Sequence, residues 1–115
     1  MSEQGLYQKV GQLLLDAGPS EAQKIVVRAR LFAEGDGGSY EFDYFDKTNR
    51  SSWFDPDSRA VGDLTELLVE LRRYYVENGL CQNGKAWSSC AVTLDVEKMK
   101  ISIDYNYDDK VLFAE

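Results

Sequence analysis

The residues richest in chemistry lie in the stretch ISIDYNYDD, Ile101 to Asp109, of this 115-residue chain. Asp104, Asn106 and Asp108 recur at every second position and Glu115 follows, a spacing of oxygen donors close to that of a calcium loop. Val111 even falls where such loops carry an apolar residue. Two features weigh against calcium. Asp109 stands where the loop needs a glycine to bend, and the residues before Asp104 alternate as in a strand rather than an entering helix. Carboxylate pairs such as Asp104 with Asp43, or Asp108 with Asp109, are of the kind that flank a glycosidic bond or hold magnesium. With 20 acidic residues, however, adjacent carboxylates arise by chance, and a charge run is usually a solvated face.

The absence of histidine removes the commonest general base and every Ser–His or Cys–His nucleophile. Gly35-Asp36-Gly37-Gly38 sits between two strand-like runs, which is hairpin chemistry rather than a phosphate cradle. Cys81 and Cys90 form no CxxC pair and have no companion histidine, so zinc is unsupported and two reduced thiols are expected. The expectation is a protein that is not an enzyme, with no catalytic residue, no cofactor and no metal. A small carboxylate-based hydrolase and a scaffold or ligand-binding module are the alternatives.

A net charge of −7 points the same way. Phosphate contacts dominate affinity for nucleic acid, so a chain this acidic is a poor DNA or RNA binder. Anionic membrane surfaces would repel it, and its apolar runs are far too short to span a bilayer. Such acidity suits attraction to a basic partner. The opening MSEQGLYQKV lacks the basic and apolar regions of a secretory signal, which makes the cytoplasm the expected compartment.

These residues must be positioned by the elements around them. Leu6, Val10, Leu13, Leu14 and Ala17 recur at helical spacing between Glu3 and Ala17, with Ser2 as a cap and Gly18-Pro19 as a stop. Residues 25 to 32 and 39 to 46 alternate as an antiparallel hairpin, and Trp53-Phe54 either extends a third strand or pins a loop. Asp63 and Glu66 have the spacing of a capping box, predicting a second amphipathic helix of about fifteen residues that ends at Asn78-Gly79. Residues 87 to 95 and 100 to 108 form a second hairpin. The order implies a single α+β domain over 1–115, an antiparallel sheet of four to five strands with two amphipathic helices on one face. The far face would carry Arg28, Arg30, Glu41, Asp43, Ser102, Asp104 and Asn106. The aromatic residues read as core under the helices or as partner anchors, and for Trp53 and Trp87 the sequence does not choose.

LYQKVGQLLL, IVVRARLFAEGDGGSYEFDYFD, WFDP and above all ISIDYNYDD, taken in order, resemble the YezG-like family of immunity proteins, or antitoxins, of polymorphic and contact-dependent toxin systems. The resemblance runs from Leu6 to about Asp109. It implies a cytoplasmic protein that neutralises a cognate bacterial toxin during bacterial competition, with nucleases the expected toxin class. A nuclease groove is basic, so an acidic face can occupy it. The toxin-facing residues expected on this basis are Glu41, Asp43, Asp46, Asp104, Tyr105, Tyr107, Asp108 and Asp109. The loops at 47 to 62 and 79 to 86 are the competing location.

Overall fold

The computed structural model describes residues 3–32, 37–80 and 86–107. In chain order the elements are α1 (Glu3–Ala17), β1 (Lys24–Leu31), β2 (Gly38–Phe45), β3 (Ser51–Trp53), α2 (Ser58–Glu77), β4 (Ser89–Asp95) and β5 (Lys100–Asn106). The expected α+β class holds: the strands form one antiparallel sheet in the order β3-β2-β1-β4-β5, with two helices on one face. Ser2, the expected α1 cap, lies outside the described residues.

Period-two alternation decides which side of each strand is buried. Along β1, Ile25, Val27, Ala29 and Leu31 are buried, and in register beside them lie Val92, Leu94 and Cys90 of β4. Onto this surface α1 presses Leu6, Val10 and Leu14, and α2 presses Leu64, Leu68 and Leu71. Each of these leucines is almost fully buried, worth about 2 kcal/mol apiece in apolar surface removed from water. Gly11 faces the sheet, where a Cβ would meet Leu94 Cδ1 at 3.6 Å, an ordinary packing distance.

The second helix differs from the capping-box expectation. It begins at Ser58, where Asp57 is the N-cap and accepts a 2.8 Å hydrogen bond from the Ala60 backbone N–H. Asp63 is therefore an exposed residue within the helix, and the helix runs for 20 residues rather than about fifteen. Its other end is as expected: Asn78 caps it and Gly79 takes φ +68°, the left-handed conformation that glycine tolerates. Trp53 does extend a third strand, of only three residues. The last hairpin is shorter at both ends than its alternation implied, because Trp87 precedes β4 and Tyr107 follows β5.

Candidate partner-binding surface

The helix-free face of the sheet is set by the register. One row across it reads Trp53, Asp43, Val26, Thr93 and Ser102; the next reads Glu41, Arg28, Ala91 and Asp104. A third row runs Phe45, Lys24, Asp95 and Lys100, with the Lys24 ammonium 4.3 Å from the centroid of the Phe45 ring. The central strand β1 carries Lys24, Arg28 and Arg30 on this face, with the small side chains Val26, Ala91 and Thr93 between the charges. Lys24, Arg28, Arg30 and Lys100 stand against Glu41, Asp43, Asp95 and Asp104, so the face as a whole is balanced in charge.

Arg28 organises the β2 side. Its Nε donates to Glu41 Oε1 at 2.9 Å and its Nη2 donates to Asp43 Oδ2 at 2.8 Å. One guanidinium thereby ties together two of the carboxylates singled out from the sequence. Asp104 shares their face but sits on β5, three strands from β2, or about 14 Å away at ordinary strand spacing. The carboxylate pair of Asp43 with Asp104 is thus not brought together. Asp104 and Asn106 lie in an extended strand rather than a coordinating bend. Among the described residues, no group of three or more His, Cys, Asp or Glu side chains is placed to hold a metal ion.

Asp46 has a local task. Its Oδ1 accepts from the Thr48 hydroxyl at 2.6 Å and from the backbone N–H of Thr48 and Arg50, closing the turn into β3. The Thr48 hydroxyl, and then the Arg50 amide, hold its carboxyl below the usual aspartate range. Asp108 and Asp109 lie outside the described residues.

Tyr105 and Tyr107 point away from Asp104. The Tyr105 and Tyr7 hydroxyls are 2.7 Å apart, and the Tyr105 ring packs 4.7 Å from Tyr75 and 5.2 Å from Trp87 between centroids. Tyr75 in turn donates to Glu3 Oε2 at 2.7 Å. Burial drives the Tyr75 and Tyr105 phenols well above the ordinary tyrosine range. The Tyr107 hydroxyl donates to the Leu80 carbonyl at 3.1 Å. These aromatics fasten α1 and the end of α2 to the last hairpin. The same region buries the Cys90 thiol, pushing its pKa up to about 12.

The surface feature that the sequence left open lies where β3 gives out. Trp53 is 74% exposed, the most exposed of the large hydrophobic residues described. With Tyr40, Glu41, Phe42, Asp43, Phe54, Asp55 and Val61 it lines an open recess of about 470 Å³. Four aromatic rings and three carboxylates line it, with Arg28 against two of those carboxylates. Asp55 and Val61 have no signal in the sequence; they enter because the chain turns from β3 into the Asp57 cap. The strand register, which sets Trp53 opposite Asp43, is what turns the indole to the helix-free side. No protein-family model matches the sequence, and no curated protein matches it. Among the described residues, no helix is long and apolar enough to cross a membrane.

Proposed function

We propose that this protein is an immunity protein that binds and neutralises a cognate bacterial toxin of the nuclease class. The observation that carries this reading is the recess at the β2–β3 border, which an exposed tryptophan lines together with Glu41, Asp43 and Asp55. Aromatic anchors give much buried area for little lost rotamer entropy, and the surrounding carboxylates select a positively charged partner. A net charge of −7 adds long-range steering toward such a partner. The likeness of ISIDYNYDD and the hairpin sequence to YezG-like antitoxins supports the same role.

Relative to the sequence expectation, the proposed contact surface shifts. Glu41 and Asp43 stay in it and Trp53 and Asp55 join it, whereas Tyr105 and Tyr107 act from the opposite side as ties between helices and sheet. Co-expression with the toxin encoded beside this gene tests the reading. Restored growth and a co-purifying complex are expected, and Trp53→Ala with Glu41→Lys should weaken both. A neighbouring toxin that kills regardless, and does not bind, refutes it.

A further inference from the structure

Strand β2 is eight residues long, but β3 covers only Asp43 to Phe45 of it. The contact continues for one more step, where the Phe54 N–H donates to the Phe42 carbonyl at 3.0 Å, and then the chain departs toward α2. In an antiparallel ladder the N–H and C=O of a residue point to the same side, and the side alternates along the strand. The Phe42 carbonyl and the Asp46 N–H both face β3, so the N–H and C=O groups of Gly38 and Tyr40 face that way too. Among the described residues no strand pairs with them there. An unpaired strand edge is a template for another strand.

From this edge, its recess and its charge, we infer that the partner contributes an extended, positively charged segment. The segment adds to the sheet beside Gly38–Glu41, in line with β3. The inference rests on the proposed function for the physiological source of that segment, but not for the chemistry of the edge. Pleating fixes its side-chain pattern. Residues facing the helix-free side lie beside the Trp53 indole, Glu41 and Asp55, which suits lysine or arginine by cation–π contact and ion pairing. Residues facing the other side lie against Tyr40, Phe42 and Val61, which suits valine or isoleucine. Arg28 engages one oxygen of Glu41 and one of Asp43, leaving the second oxygen of each for an incoming cation. Main-chain bonds supply affinity and the alternating pockets supply selectivity, as in other cases of strand addition.

The test is an amide NMR titration of the full chain with a blocked Val-Arg-Val-Lys-Val peptide, and with a counterpart carrying Glu in place of Arg and Lys. The cationic peptide should shift the Tyr40 amide and the Trp53 indole N–H, with a response that weakens as salt is added. Glu41→Lys combined with Asp55→Lys should weaken binding about tenfold or more, because like charges then meet across the edge. Both positions are exposed, and an otherwise unchanged spectrum verifies the fold. An equal response to the acidic peptide overturns the inference, as does a cationic peptide that shifts only residues far from Tyr40. If cells are protected from the toxin while the peptide leaves the edge untouched, the inference fails and the antitoxin reading survives. If the peptide binds at the edge but no toxin is neutralised, the inference stands and the antitoxin reading fails.

Discussion

Replacing Arg28 with methionine should move stability and partner affinity in opposite directions. Met keeps much of the apolar stem and removes the charge, so packing is little disturbed. Two ion pairs are lost, both at 2.8 Å and both partly exposed to solvent. Pairs of that kind contribute about 0.5 kcal/mol each. Glu41 and Asp43 are then left facing each other two residues apart on one side of β2, a separation of about 7 Å. Their repulsion across that gap in water, about 0.6 kcal/mol, is present in parent and variant alike and so does not enter the difference. The sum is a loss of about 1 kcal/mol at low ionic strength, shrinking as salt screens both pairs. Urea unfolding at low and high salt measures it, with Arg28→Lys as the variant that keeps charge and loses the fork. The same substitution makes the rim of the recess more negative, so the cationic peptide should bind Arg28→Met more tightly than the parent. A salt-independent loss beyond about 3 kcal/mol would mean that Arg28 acts through packing rather than charge. Weaker peptide binding would remove the carboxylates from the binding role altogether.

Four further predictions concern the frame that holds this surface. Gly18→Ala places a Cβ 2.6 Å from Ile25 Cδ1 and 2.9 Å from the Leu14 carbonyl, and should lower the urea midpoint by about 1–3 kcal/mol of stability. Gly62→Ala meets nothing within 4 Å on an exposed helical turn and should raise stability by about 0.5–1 kcal/mol. Because burial raises the folded pKa of Tyr75 and Tyr105 above 10.0, their contribution is complete below pH 10.0 and is lost as pH rises through the folded values. Tyrosinate absorbance followed with circular dichroism should therefore show these two phenols ionising together with alkaline unfolding, and ionisation in a fully folded protein contradicts their placement. Cys90, fully buried and with its thiol pushed up to about 12, should be alkylated only as the protein opens; peptide mapping that finds it modified within the folded state counts against the core described.

Legibility in the sequence followed packing. The bounds of α1 could be read because Leu6, Val10 and Leu14 face the core at every turn, and the first hairpin fell within one residue because β1 alternates along its length and β2 through its first half. The start of α2 could not be read from periodicity. Ser58, Arg59 and Gly62 are exposed, so the first turns carry no apolar rhythm and depend on the Asp57 cap. The mixed-charge composition of the helix-free face was also readable, since the register alone dictates it. Which tryptophan is core was not: Trp87 is fully buried against Tyr105 whereas Trp53 stands out in solvent, and one residue of phase in a three-residue strand makes that difference. Asp104 and Tyr105 are neighbours in sequence and belong to opposite faces, so a cluster drawn along the chain was divided by the pleat.

Among the described residues, strand β1 is the seam between two separately built parts of the sheet. On one flank it meets β2, its immediate successor in the chain; on the other it meets β4, which arrives only after α2 has been made. The β4–β5 hairpin thus has nowhere to dock until the amino-terminal portion exists, and joining it closes a long loop, which slows folding. A chain cut just after α2 would leave Val27 and Ala29 on a bare, sticky margin. Supplied separately, the β4–β5 piece has this margin as its docking edge, where Val92 and Leu94 would return beside Val27 and Ile25.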